Sequence, residues 1–118
     1  MNNIIGVGTD IVETERVREL IEKTPKFLER VYTKTEVDYC NGKKNKYQHF
    51  AVRFAAKEAI IKALNLKEVA LKDIAIKNMS DGKPLATIKG GKNFEVHLSL
   101  SHSKDYAVAY AIATKKIN

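Results

Sequence analysis

Arg53-Phe54-Ala55-Ala56-Lys57-Glu58-Ala59-Ile60-Ile61-Lys62-Ala63-Leu64 reads as a helix, rich in alanine and long side chains and free of Gly and Pro. Extended outward, the helical pattern begins near Lys46 and runs to about Leu64, a long central helix. Glu58 is the only acid in the quoted stretch, against Arg53, Lys57 and Lys62. Glu58 and Lys62 are four apart and share a face. One reading is a solvated surface ion pair, worth about 0.3 kcal/mol. The other is a carboxylate that holds a divalent metal beside cations that take phosphate charge, which suits phosphoryl chemistry.

The N-terminal segment Ile4-Ile5-Gly6-Val7-Gly8-Thr9-Asp10-Ile11-Val12 alternates as a strand, with Ile5, Val7, Thr9 and Ile11 on one face and Gly6, Gly8 and Asp10 on the other. Glycines inside a strand mark close approach by something else. Two readings stay open for Asp10: a carboxylate that bonds a nearby amide under a close-packed helix, or a metal ligand or base facing a cleft. The dinucleotide fingerprint is incomplete, because Ile11 stands where its third glycine belongs.

Between these segments, Thr14 is expected to cap a helix over roughly Glu15 to Lys23, with Val17, Leu20 and Ile21 on its apolar face and Pro25 ending it. A short helical piece around Phe27 to Tyr32 follows. Thr33-x-x-Glu36 reads as a capping box opening a helix toward Cys40, with Gly42 as its stop. After the central helix come strands near Ile74 to Asn78, Leu85 to Lys89 and Val96 to Ser101, and a last strand from Tyr106 to Ala113. Ala107, Ala109, Ala111 and Ala113 give that last strand a small-residue face open to a helix or another subunit. The expected fold class is α+β, one small domain over residues 1–118 with helices packed on a mainly antiparallel sheet.

Four segments in order carry a family resemblance: GVGTDIVETERV near the start, RFAAKEAIIKAL in the middle, the turn Asp81-Gly82-Lys83-Pro84, and His97-Leu98-Ser99-Leu100-Ser101-His102-Ser103-Lys104-Asp105-Tyr106-Ala107. Together they resemble the holo-[acyl-carrier-protein] synthases, the small 4′-phosphopantetheinyl transferases. The resemblance implies an enzyme of fatty acid biosynthesis. Its reaction is magnesium-dependent transfer of 4′-phosphopantetheine from coenzyme A to a serine of apo acyl carrier protein, releasing adenosine 3′,5′-bisphosphate. It assigns Asp10 and Glu58 as metal-binding carboxylates, Lys62 as the lysine at the pyrophosphate, and His102 to the nucleotide end of coenzyme A. Ser101, Ser103 and Arg53 are candidates to assist there, with Arg53 alternatively anchoring the helix. Glu58 is expected to take the serine proton. Arg16 and Arg18 correspond to a basic helix facing the carrier, although Glu15, Glu19 and Glu22 share that helix. The resemblance also implies a homotrimer with sites between subunits.

Three departures from the family pattern stand out. Leu64-Asn65-Leu66-Lys67-Glu68-Val69 lacks the glycine that approaches coenzyme A, so Asn65 or Lys67 is left to make side-chain contacts. Gly90-Gly91-Lys92-Asn93-Phe94 is short where many members place a helix. Thr9 replaces an aliphatic residue.

The chain has 118 residues, a net charge of +7 and a pI near 9.5. Such a charge permits nucleic-acid binding, but most Phe and Tyr fall at positions that read as buried rather than interleaved with surface cations, and no nucleic acid is expected. An acidic carrier protein suits the same charge by electrostatic steering. The lone Cys40 excludes an internal disulfide, and no basic-apolar leader or membrane-length apolar run is visible. A cytoplasmic protein with no membrane contact is therefore expected. Catalysis through Cys40 has little support, His97 reads as structural, and His49 fits no motif.

Overall fold

A computed structural model describes residues 3–91 and 93–116. The elements are β1 (Ile4–Glu13), α1 (Thr14–Lys23), α2 (Phe27–Val31), α3 (Lys34–Asn41), α4 (Lys46–Leu64), a 3₁₀ turn (Leu71–Asp73), β2 (Ile74–Asn78), β3 (Pro84–Ile88), β4 (Phe94–His102) and β5 (Tyr106–Lys115). The central helix has the boundaries that its sequence predicts. The strands form two sheets rather than one: an antiparallel β1-β5-β4 sheet and a separate β2-β3 hairpin. The hairpin turns through Gly82, whose φ of 88° suits a residue without a side chain.

Directly opposed residues of an antiparallel sheet share a face. Gly6, Gly8, Asp10 and Val12 of β1 therefore lie with Ala113, Ala111, Ala109 and Ala107 of β5 and with Val96, Leu98, Leu100 and His102 of β4. This face is covered by α4, whose Ala55, Ala56, Ala59, Ile60 and Ala63 complete the core. The small residues are there because the helix lies so close. A β-carbon at Gly8 would overlap the Ala59 carbonyl oxygen, and one at Gly6 would overlap that of Ala63. The four alanines of β5 pack under the same helix, which resolves the choice left open for them.

A second cluster joins α1, α2 and α3 to the N-terminal half of α4 through Val17, Tyr32, Cys40 and Phe50. The capping box is present: the Thr33 hydroxyl accepts from Glu36 N, and Glu36 accepts from Thr33 N. Glu36 does more than cap. Its carboxylate also accepts from Lys57 Nζ at 2.7 Å and from Ile76 N at 2.6 Å, while Lys57 donates to Val31 O at 2.6 Å. Both side chains are sealed from solvent, at 0% and 1% exposure. A buried ion pair survives only when its remaining hydrogen-bonding groups are satisfied, and here it ties α2, α3, α4 and β2 together. Burial pushes the Cys40 thiol up to about 11, led by desolvation, so Cys40 is an inert core residue.

The start of α1 differs from expectation. Glu13, not Thr14, is the N-cap, and Thr14 is the first helical residue. Its N–H is taken by Asp105 O at 2.8 Å, so the loop before β5 supplies the cap and the hydroxyl lies buried without a partner.

Candidate active site

Asp10 reaches the inner face of β1 beside the cleared glycines, and α4 brings Lys62 and Glu58 to it. Lys62 Nζ donates to Asp10 Oδ1 at 3.3 Å and to Thr9 O at 2.9 Å. The Glu58 carboxyl is held above its ordinary range, first by partial burial, then by the nearby Asp10 charge, with Lys62 opposing. Asp10 lies near enough for its charge to raise the Glu58 carboxyl, and a divalent cation relieves such a like-charge contact. No group of three or more His, Cys, Asp or Glu gathers among the described residues. Two carboxylates alone fit magnesium, which takes one or two protein carboxylates and keeps its other positions for water and phosphate oxygens.

A cavity of about 500 Å³ opens between α4, the β2-β3 turn and the end of β4. His49, Arg53, Asn78, Asp81, Lys83, and His102 line it, together with apolar residues of β4. None of Asp10, Glu58 and Lys62 does. The helix explains why. His49 and Glu58 are nine residues apart, as are Arg53 and Lys62, and nine residues are two and a half turns. The two groups therefore lie on opposite sides of α4. One chain thus carries two separate groups: a carboxylate-lysine cluster along β1 and a basic cavity along β4.

Arg53 is 3% exposed. Its guanidinium stacks over the Tyr39 ring at 4.3 Å and donates to Asn78 Oδ1 at 2.6 Å, while Nε is buried without a partner. It anchors the hairpin to the helix as well as lining the cavity. Ser101 lies on the face of β4 opposite His102, across from Val108, so the two do not converge within one chain. Ser103 is spent on the loop before β5, where its Oγ accepts from Tyr106 N at 3.3 Å. His97 sits on the outer face, with Nε2 3.2 Å from Thr114 Oγ1. Arg18 is paired with Glu15 and Glu22 and lies over Tyr47, and Arg16 is an exposed residue of the same helix. The loop after α4 keeps its left-handed turn without glycine: Asn65 adopts φ 51° there, and asparagine tolerates that region better than most residues.

Two residues that sequence reasoning passed over approach His102; His49 lines the cavity and Gln48 stands just outside it. His49 lies with its ring 5.2 Å from that of His102. Gln48 Oε1 lies 2.9 Å from His102 Nδ1. Gln48 is 54 residues from His102 and His49 one fewer, so neither contact has a local signal. A larger cleft of about 610 Å³ runs between β3 and β4, lined by Ile88, Phe94, Val96, Leu98 and Lys116, and none of the sequence-predicted site residues borders it.

Residues 6–111 match the model of the 4′-phosphopantetheinyl transferase superfamily. The chain belongs to this family. It is 46% identical to a holo-[acyl-carrier-protein] synthase of Thermodesulfovibrio yellowstonii over 94% of this chain and 99% of the relative. A synthase of Clostridium tetani is 41% identical over 92% of this chain and 94% of the relative. The fold superposes on a crystal structure of the Bacillus anthracis holo-(acyl-carrier-protein) synthase in complex with coenzyme A (3′,5′-ADP). That match has a TM-score of 0.86 at 38% identity and covers 96% of this chain and 98% of that one.

Proposed function

We propose that this chain, as one domain over residues 1–118, transfers 4′-phosphopantetheine from coenzyme A to a serine of apo acyl carrier protein. The observation that carries the proposal is the meeting of Asp10, Glu58 and Lys62 on a strand cleared by Gly6 and Gly8. In the reaction the serine oxygen attacks the phosphorus next to pantetheine, the bond to the adenosine-side phosphate oxygen breaks, and adenosine 3′,5′-bisphosphate leaves. Glu58, with its carboxyl already raised by burial and by Asp10, takes the serine proton. Lys62 lies against Asp10 and supplies a fixed positive charge to the pyrophosphate and the leaving group. Asp10 and Glu58 would hold a magnesium ion, which when bound neutralises charge on the pyrophosphate. The cavity lined by Arg53 and His102 takes the nucleotide end of coenzyme A.

The two half-sites face away from one another across α4, which supports a site completed between copies of the chain. The outer face of the β1-β5-β4 sheet supports the same reading. Val7, Ile11, Tyr106 and Tyr110 are 50–65% exposed there, beside Ile5 and Ile112. A contiguous apolar patch of this kind marks an interface, and we assign it to a homotrimer. The exposed Arg16 and the basic surface receive the acidic carrier by steering. We place the reaction in the cytoplasm, where an unpaired cysteine such as Cys40 stays reduced.

Intact-mass analysis of apo acyl carrier protein after incubation with this protein, coenzyme A and magnesium tests the reaction. The expected result is a gain of one phosphopantetheine, abolished by a chelator. An unchanged carrier mass with folded protein overturns it.

A further inference from the structure

Arg53 places a full charge in the cavity wall without a counter-ion. The residue is buried, and a guanidinium carries a permanent charge and five N–H donors. A buried charge is ordinarily paired. Among the described residues no carboxylate lies within ion-pairing distance of Arg53. Asp81 borders the same cavity, but its Oδ1 accepts from Lys83 N inside the β2-β3 turn. Neutral groups hold the guanidinium instead. The Tyr39 ring centre lies 4.3 Å from it, His49 O accepts from Nη1 at 3.5 Å, and Asn78 Oδ1 accepts from Nη2 at 2.6 Å. Arginine offers donors only, so the Asn78 atom in this bond is the amide oxygen.

Asn78 is the last residue of β2, paired with Pro84 across a hairpin that forms its own sheet. Side-chain bonds tie that hairpin to the helices: Asn78 to Arg53, and Ile76 N to Glu36. An aspartate at position 78 would make the same tie, but it would also neutralise the guanidinium. We infer that Asn78 is a positioning residue, which fixes Arg53 in the cavity wall through a neutral bond so that the uncompensated charge selects an anionic ligand. The hairpin is thereby part of the site's framework: it orients the cation and leaves its charge unspent. This inference rests on the reading that the cavity takes the nucleotide end of coenzyme A.

Asn78→Asp is the variant that tests it, because its carboxylate accepts from Nη2 as the amide does and adds a counter-charge. Calorimetric titration with adenosine 3′,5′-bisphosphate at fixed salt reads affinity, and thermal unfolding reads the tie. A residue that only fastened the hairpin to α4 would be replaced by aspartate without loss. The expected result is a Tm at or above the wild-type value together with affinity lower by about 10–100-fold. In carrier modification the KM for coenzyme A is expected to rise with kcat little changed, since the binding lost is common to ground and transition states. Asn78→Ala leaves Nη2 without its acceptor and is expected to lower both Tm and affinity. Ser80→Asp puts the same charge on the same turn outside the cavity lining, and it is expected to bind within about twofold of wild type. Wild-type affinity in Asn78→Asp, an equal loss in Ser80→Asp, or a fall in Tm as large as that of Asn78→Ala overturns the inference. If His102→Asn binds the nucleotide as tightly as wild type, the reading of the cavity itself fails. If His102→Asn binds weakly and Asn78→Asp binds as wild type does, only the inference about Asn78 fails.

Discussion

Gly8→Ala tests how the carboxylate cluster is made. The added β-carbon would overlap the Ala59 carbonyl oxygen and would lie 2.8 Å from Ala63 N. Both obstacles are helix backbone, which cannot rotate aside, so α4 has to move from β1 by about 1.5 Å to restore ordinary contact. Overpacking of this kind costs about 1–3 kcal/mol, which for a chain of this size lowers Tm by about 4–12 °C. The functional cost is expected to be larger. Ala59 follows Glu58 and Ala63 follows Lys62, so the shift carries both away from Asp10, and a misplacement of about 1 Å lowers a rate by about 100-fold. Thermal unfolding and steady-state transfer to apo acyl carrier protein measure the two effects. Gly42→Ala is the control: its β-carbon would meet Tyr39 O at an ordinary 3.5 Å and its φ is −79°, so little change is expected in either measurement. Wild-type Tm and turnover in Gly8→Ala would refute the close-packing argument. A lowered Tm with undiminished turnover would refute its link to the site.

Other substitutions probe separate parts of the account. Glu58→Gln is expected to nearly abolish turnover with the fold intact by circular dichroism, and Lys62→Ala to lower the rate with weaker coenzyme A binding; near-normal kinetics in either removes that residue from the mechanism. Lys57→Met strands the Glu36 carboxylate in the core, at a cost of about 3–5 kcal/mol in urea unfolding. Tyr110→Lys places a charge on the outer sheet face and is expected to yield monomers in light scattering and to lose transfer activity. His49 is held below its ordinary titration range by burial, then by His102 and other cations. Its contribution to stability is therefore present above about pH 6.5 and lost as pH falls through the folded value; His49→Gln should flatten the fall of Tm over that acid window.

Much of the fold is local chemistry and is legible in the chain. The bounds of α4, the Thr33–Glu36 capping box and the glycines that face Ala59 and Ala63 all follow from short-range patterns. Thr14 misled because the loop at Asp105 satisfies the helix start from a distance. The split into two sheets depends on which strands pair, and alternation within a strand does not encode that. The carboxylate-lysine cluster was legible because its members sit on two strongly patterned segments. Gln48 and His49 were not, since their partner His102 comes from the far end of β4 and neither residue carries a motif. Glu36 was legible as a cap only; its bonds to Lys57 and Ile76 N arise from packing across 21 and 40 residues. The opposition of Arg53 to Lys62 was implicit in the helical period, and that of Ser101 to His102 in the strand alternation.

In the proposed homotrimer the Glu58 half of one site and the His102 half come from different copies of the chain. Co-expression of Glu58→Gln with His102→Ala, assayed for carrier modification at limiting coenzyme A, tests it directly. Each variant alone is expected to be nearly inactive. In a cyclic trimer every mixed assembly restores one intact junction, so the co-expressed protein should recover about a quarter of wild-type activity. Recovery of none, with mixed trimers demonstrated by mass spectrometry, would place both halves in a single chain and contradict the account.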